Sequence, residues 1–385
     1  MKIVHVIPSL APQFGGPSYA AVGMTRALAA RSHDVALYTT DAGGTMPGAE
    51  TLRGDGVDYR VFPARFPSAF KRSPALRKAL TETISGTDLV HIHALYLYPT
   101  IVAARIARAA GVPYAIRPCG ALDPLHAERK KLKKGIVNLL AHNAVLRHAA
   151  SFHFTTDAER EAARPYTFAR PSFIVPNGVD LREFDPLPAR GGFRTRHPQL
   201  ADKTIVLFFG RINFKKGFEI LIPAFAALAR RRPDIHLVLA GPADDYLTAV
   251  QSLVRAHGIA PRVTFTGLLT GRERLEVLAD SDLFVLPSNA ENFSNALFEA
   301  MAAGLPVIVS DKVMTAPEVA RAGAGLTIAP VQGELERALE ELLADPAKRQ
   351  AMGRHGAEFV RAHYGWDAVA AKLEASYEAI LRNAR

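Results

Sequence analysis

Only one of the 385 residues, Cys119, is a cysteine, so an internal disulfide and a zinc site built from several cysteines are both excluded. No stretch approaches the eighteen or more consecutive apolar residues of a membrane-spanning helix. The opening segment MKIVHVIPSLAP has one lysine and a short apolar run that meets a glycine turn at once. It reads as a first β-strand, not as a secretory leader. The dinucleotide fingerprint GxGxxG is missing, and with it any sign of a nicotinamide cofactor. Internal repeats and low-complexity tracts are missing too. These absences predict a cytoplasmic enzyme-sized chain with no redox or membrane-spanning apparatus.

With 49% hydrophobic and 22% charged residues, the composition is that of a soluble globular protein, and the length calls for two domains. The net charge of +10 is concentrated in the first half, in Arg60–Lys78 and in the run Arg129, Lys130, Lys131, Lys133, Lys134. Nucleic acid is the generic partner of such patches, but no aromatic-basic interleaving or nucleic-acid motif accompanies them. An anionic membrane surface or a phosphate-bearing acceptor fits better, with a solvated face as the alternative.

The most informative stretch is DLFVLPSNAENFSNALFEAMAAGLPVIVSD, residues 282–311. Leu283–Leu286 is a short apolar run bounded by Asp282 and Pro287, the pattern of a buried parallel strand. Ser288–Ser294 is a polar loop, and Ser294 or Asn295 caps the helix marked by Leu297, Phe298 and Met301. Gly304-Leu305-Pro306 ends that helix and Val307–Val309 begins another strand. Glu291 therefore sits on the loop and Glu299 one turn inside the helix, at the carboxyl end of a strand, where open α/β sheets bind ligands. The plainer alternative is a favourable charge at the positive end of a helix dipole.

The same strand–turn–helix rhythm runs through the chain. Lys2–Ile7 is a strand, Gln13–Pro17 a turn, and the following helix spans 18–30 with Ser18 a candidate cap. Gly15 and Gly16 lie where a backbone can approach an anion, although an ordinary tight turn reads the same way. Leu89–His93 places His91 and His93 on one strand face. Paired histidines raise the question of a metal, but no third ligand of suitable spacing is evident, and a hydrogen-bonded structural role is favoured. Tyr114–Arg117 leads to Pro118-Cys119-Gly120. Pro186–Pro188 with Gly191-Gly192 reads as a linker. The second domain opens with the strand Thr204–Phe209 and then GRINFKKG, whose Arg211 and Lys216 flank a helix start and can hold a diphosphate. This is no P-loop, since the lysine is followed by glycine.

Glu291, seven intervening residues and Glu299, followed by AMAAGLPVIVSD, resemble the signature of the retaining GT-B glycosyltransferases of family 4. The Gly210-Arg211, four residues, Lys216-Gly217 spacing resembles that family's pyrophosphate motif. The resemblance covers nearly the whole chain. It implies α/β architecture with two Rossmann-like, doubly wound parallel-sheet domains facing across a cleft, near 1–187 and 191–385, with the last helix (367–382) returning to the first. It implies transfer of a hexose from a nucleotide diphosphate sugar to an acceptor hydroxyl, with no metal or other cofactor. Donor contacts then fall on Gly15, Gly16, Gly210, Arg211, Lys216, Gly267, Leu268, Glu291, Phe293, Ser294, Asn295 and Glu299. Catalytic weight falls on Glu291, Arg211 and Lys216, with Glu291 at the sugar and Glu299 at the ribose.

One departure stands out. Many members place a histidine after the Tyr114–Arg117 strand, pointing at the donor sugar, and here Cys119 takes that position. Cys119, Arg117 and His93 are the candidate sugar or acceptor contacts. A thiol cannot replace imidazole proton chemistry near neutral pH unless its pKa is lowered. Ala121-Leu122-Asp123-Pro124 and the basic run after it resemble a subgroup that builds bacterial surface polysaccharides, often on lipid-linked acceptors at the inner face of the cytoplasmic membrane. The competing readings are another GT-B enzyme, such as a sugar-nucleotide epimerase, and a nucleotide-sugar-binding partner without activity.

Overall fold

The computed structural model describes residues 1–384 apart from 47, 123–135 and 244–245. The basic run Arg129–Lys134, with Asp123 and Pro124, lies outside the described residues. The chain divides into two compact units, one of Met1–Gly178 with Trp366–Arg385 and one of Val179–Gly365. The division therefore falls at Gly178, ahead of the expected linker at 187–191.

The first unit is built on seven parallel strands: β1 (Lys2–Val6), β2 (Asp34–Thr40), β3 (Val57–Phe62), β4 (Leu89–His93), β5 (Tyr114–Arg117), β6 (Ser151–Phe154) and β7 (Ser172–Ile174). Their order is β3-β2-β1-β4-β5-β6-β7. Strand β1 is buried from Ile3 onward, as a strand covered on both faces requires. The helix after β1 spans Gly16–Ala30 and starts before Ser18. Pro17 accounts for the earlier start, because a proline near the helix N-terminus gives up only an N–H that has no intrahelical partner. Ser18 is buried in the first turn instead of capping it.

The last helix, Trp366–Ala384, belongs to this unit and buries Val369, Leu373, Tyr377 and Ile380, the four residues whose spacing marks its apolar face. Its first residue explains two glycines. A Cβ on Gly23 would lie 2.1 Å from the Trp366 indole, and one on Gly178 would lie 2.4 Å from it. Gly178 is thus needed for close packing against the indole.

The second unit carries six parallel strands: β8 (Thr204–Phe209), β9 (Ile235–Ala240), β10 (Val263–Gly267), β11 (Leu283–Leu286), β12 (Val307–Ser310) and β13 (Gly325–Ile328). The order is β10-β9-β8-β11-β12-β13. The chain winds from β8 outward to β10, then returns to place β11 on the other side of β8. The loops leaving β8 and β11 therefore part at the carboxyl edge, which is the switch point where open α/β sheets bind ligands. Among the described residues no helix is long and apolar enough to cross a membrane.

Candidate active site

Two loops build the switch point of the second unit, and backbone contacts lock them together. After β8 the chain passes Gly210, whose N–H donates to Ala240 O at 2.8 Å. A Cβ on the neighbouring Gly241 would lie 1.9 Å from Gly210 O, and Gly241 N–H donates to Gly267 O at 2.8 Å. Gly210 and Gly267 thus meet through Gly241 along one sheet edge. Leu268, next in the chain, leaves 46% of its surface exposed, an apolar platform beside that edge.

Asn213 caps the single turn Phe214–Lys216, its side chain accepting from Lys215 N–H at 3.0 Å. Gly217 then adopts φ +72°, and a Cβ there would lie 2.0 Å from Pro287 O, on the loop after β11. Only glycine fits that conformation and that approach. Asn289 N–H donates to Lys215 O at 2.7 Å, a second tie between the loops.

These ties bring Lys216 against Glu291, and the two side chains form an ion pair. They retain 15% and 20% exposure, so both remain reachable by a ligand. The Glu291 backbone is held in turn, its N–H donating to Lys312 O at 3.2 Å and its carbonyl accepting from Met314 N–H at 2.9 Å. Ser294 is the helix cap, accepting from Leu297 N–H at 3.3 Å, and Asn295 is the first helical residue of Asn295–Ala302. Phe293 stacks on Phe298 at 4.9 Å, which anchors the loop to the core. Arg211 is exposed and has no ion pair or hydrogen bond among the described residues.

Glu299 brings in a residue that sequence reasoning missed. Arg274, on the helix Gly271–Asp280, donates to Glu299 Oε2 and to Glu183 Oε2, each at 2.5 Å. Burial works against the Arg274 charge, but the two carboxylates outweigh it and its pKa lies above the ordinary value. For Glu299 burial dominates and the carboxyl pKa is raised, with Arg274 pulling it partly back. Glu299 Oε1 keeps no partner among the described residues, so one oxygen is oriented by Arg274 and the other is free to accept.

In the first unit, Gly15 (φ +64°) closes the turn before the helix Gly16–Ala30, and Gly16 is helical. The remaining candidates are mostly turned inward. His93 is fully buried and Arg117 nearly so. Cys119 adopts φ +54°, and its thiol donates to Arg117 O at 3.5 Å. Burial pushes the Cys119 pKa up, so it stays a thiol. Ala94 and Tyr96, in the loop after β4, also have positive φ, which marks the carboxyl edge of this sheet as strained.

The expectation that His91 and His93 lack a third companion is corrected. His5 on β1 pairs in register with His91, and ligand-capable atoms of His5, His91 and His93 lie within 4.8 Å of one another. Sequence spacing hid this, because the third imidazole comes from a strand far away in the chain. Both His91 nitrogens, His5 Nδ1 and His93 Nε2 are committed, whereas His5 Nε2 and His93 Nδ1 are buried without a partner among the described residues. His5 Nδ1 and His93 Nε2 share a hydrogen bond at 2.9 Å, and His91 meets Tyr377 Oη at 2.6 Å and His153 Nδ1 at 3.3 Å. Burial lowers every one of these pKa values, that of His5 to about 3, so the rings are neutral. The charge beside them is the buried Arg117, which hydrogen-bonds Asn177 Oδ1. With a guanidinium beside it and no carboxylate in the cluster, a dication is disfavoured, and the row is a hydrogen-bonded polar layer.

Two family models match the chain: "Glycosyl transferase 4-like domain" over residues 15–178 and "Glycosyl transferases group 1" over residues 193–359. A GDP-mannose-dependent alpha-(1-6)-phosphatidylinositol monomannoside mannosyltransferase of Mycobacterium tuberculosis is 26% identical, over 97% of both proteins. A D-inositol 3-phosphate glycosyltransferase of Segniliparus rotundus is 31% identical over 54% of this chain and 47% of that one. The structure of HepE from Anabaena in complex with UDP and glucose matches with a TM-score of 0.79 at 20% identity, covering 98% of this chain and all of that one. That likeness bears on the fold.

Proposed function

The chain belongs to the group 1 glycosyl transferases of GT-B fold, enzymes that transfer sugars from nucleotide sugars, and on that footing we propose a retaining hexosyltransfer centred on the second unit. The observation that carries the proposal is the Lys216–Glu291 pair standing with the Arg274-held Glu299 where β8 and β11 part. Each charge then has a task. Lys216 and Arg211 meet the diphosphate, whose negative charge grows as the sugar leaves. Glu291, released from Lys216 as the donor enters, contacts the sugar hydroxyls. The free Oε1 of Glu299 accepts a ribose hydroxyl.

In the reaction the bond between the anomeric carbon and the diphosphate oxygen breaks. A bond to the acceptor oxygen forms on the same face, and the acceptor proton passes to the departing phosphate. Two side-chain cations supply the positive charge, so the mechanism requires no metal. Cys119, held as a thiol, is not the base in this scheme.

The acceptor is a saccharide or lipid-linked hydroxyl in bacterial surface-polysaccharide synthesis, a reading supported by the segment 121–134. Mass spectrometry of a nucleotide-sugar panel incubated with the enzyme and a cell extract is the test. One donor consumed with release of its nucleoside diphosphate supports the proposal, and a changed sugar still attached to nucleotide overturns it.

Two results are expected here. Arg274→Met leaves the partly buried Glu299 beside no cation and free to turn, so affinity for free nucleoside diphosphate should fall about tenfold, roughly 1.4 kcal/mol. Calorimetry checks it, and unchanged affinity would show that Arg274 only braces Glu183. The second concerns the run Arg129–Lys134, which gains about 1 kcal/mol per residue near an anionic bilayer and is screened by salt. The protein should sediment with anionic vesicles, release in high salt and ignore neutral ones. Lys130, Lys131, Lys133 and Lys134 all changed to Glu should abolish sedimentation while sparing nucleotide binding. Equal sedimentation of that variant would make the run a solvated face.

A further inference from the structure

The first unit buries a carboxylate that the mechanism does not use. Glu159, on the helix Asp157–Ala163, is 5% exposed. Among the described residues it forms no ion pair, and three donors satisfy its two oxygens. Oε2 accepts from Thr155 N–H at 2.8 Å and from the Thr155 hydroxyl at 2.7 Å, just ahead of its own helix. Oε1 accepts from Gly120 N–H at 3.1 Å, 39 positions earlier in the chain. Thr156 caps this helix by accepting from Glu159 N–H at 3.0 Å, the first half of a capping box. In a complete box the glutamate turns back on its own cap, whereas here one oxygen is committed to a distant turn.

What that oxygen holds is an unfavourable piece of backbone. Cys119 and Gly120 have φ +54° and +74°, and Ala121 N–H donates to Pro118 O at 3.1 Å. This is the pattern of a type I′ turn, in which a side chain such as that of Cys119 is strained. The turn follows β5 at the carboxyl edge of the sheet, the edge where open α/β sheets bind ligands. Ala94, after the neighbouring β4, also has positive φ, and its N–H donates to Arg117 O at 2.9 Å. Cys119 and Gly120 stay partly exposed, so a ligand can reach the turn. Strain of this kind persists only where the surroundings enforce it, and it gathers at functional sites. We propose that Glu159 is a positioning residue, which fixes the Pro118–Ala121 turn so that its exposed edge meets a saccharide. The proposal rests on the transfer reading above and adds to it a residue that touches neither substrate.

Glu159→Gln in the full-length protein is the first variant. An amide has one accepting oxygen, and Thr155 offers it two donors against one from Gly120. The oxygen should therefore stay with Thr155, leaving the amide nitrogen against Gly120 N–H and the turn released. Transfer kcat should fall about tenfold, the scale of a small misplacement of a reacting group, while affinity for free nucleoside diphosphate matches wild type. Cys119→Asn supplies the comparison, because Asn-Gly favours a type I′ turn unaided. In the Cys119→Asn background Glu159→Gln should cost less than about twofold, and any contact made by the thiol divides out of that ratio. A loss of equal size in both backgrounds overturns the proposal. So does full turnover of Glu159→Gln, or a loss that falls on nucleotide affinity. Should Glu159→Gln fail to fold, Glu159→Asp takes its place, keeping the charge for Thr155 and falling short of Gly120. The saccharide belongs to the donor or to the acceptor, and two arms separate them. Slower donor hydrolysis without acceptor gives the turn to the donor sugar, and a defect in transfer alone gives it to the acceptor. If wild type uses no nucleotide sugar, the transfer reading fails instead. Amide hydrogen exchange at Ala121, faster in Glu159→Gln and slow again with Cys119→Asn added, then still decides whether Glu159 holds the turn.

Discussion

Lys216→Ala is expected to lower kcat/KM by roughly 10²–10³-fold, the range seen when one group that stabilises developing charge is removed from a preorganised site. Arg211→Ala should fall in the same range, but for a simpler reason. Arg211 is exposed and unpaired among the described residues, so on the proposed reading its loss removes a diphosphate contact and leaves the rest intact. Lys216 carries a second task, because it is the ion-pair partner of Glu291. Without it Glu291 faces the entering diphosphate as an unneutralised like charge, and donor KM should rise more than in Arg211→Ala. Thermal melting should barely move in either variant, since partly exposed ion pairs contribute little to stability. Full turnover in both variants would remove the diphosphate assignment from the GRINFKKG loop.

Glu291→Gln should cost a comparable 10²-fold or more in kcat/KM while leaving affinity for free nucleoside diphosphate nearly intact, because its task begins only when a sugar is present. Glu299→Gln should do the reverse, weakening free nucleotide through the lost ribose acceptor. The geometry supports this division as proposed. Glu291 touches Lys216, the proposed diphosphate cation, whereas Glu299 lies a turn into the helix and is clamped by Arg274. The raised pKa of Glu299 adds a pH signature with a definite sign. Its charged form is lost at a higher pH than that of an ordinary carboxylate. On acidification nucleotide affinity should therefore decline early in wild type, and that step should be missing in Glu299→Gln. Calorimetry with nucleoside diphosphate, with and without the sugar, separates the variants; equal loss of free-nucleotide affinity in both would contradict the division of roles.

These two predictions rest on residues that were legible in the sequence, and the reason is local. Lys216 lies within one loop of its strand, and Glu291 and Glu299 within one loop and one helical turn of theirs, so strand, turn and helix signals suffice to place them. Even the helix cap narrowed correctly to two residues, with packing choosing Ser294. What escaped was set by contacts between distant segments. Arg274 reaches Glu299 because the helix Gly271–Asp280 packs beside the site, and no spacing rule connects them. His5 completes a histidine row only through the register of β1 on β4. Lys71 meets Phe14 across a bend whose positive φ no lysine announces. Gly217 read as the glycine after a motif lysine, but its cause is the Pro287 carbonyl 2.0 Å from any Cβ. The Ser18 cap failed for a local reason, since Pro17 had already allowed the helix to begin.

The central claim is that the nucleotide diphosphate sugar binds where β8 and β11 part. Amide hydrogen exchange of the full-length protein, with and without saturating nucleoside diphosphate, tests it most directly. The account predicts protection in two segments, 210–218 and 288–299, weaker protection at 266–269, and little change along the Pro346–His363 helix of the same unit. Saturable binding that leaves 210–218 and 288–299 exchanging as in the free protein would contradict it.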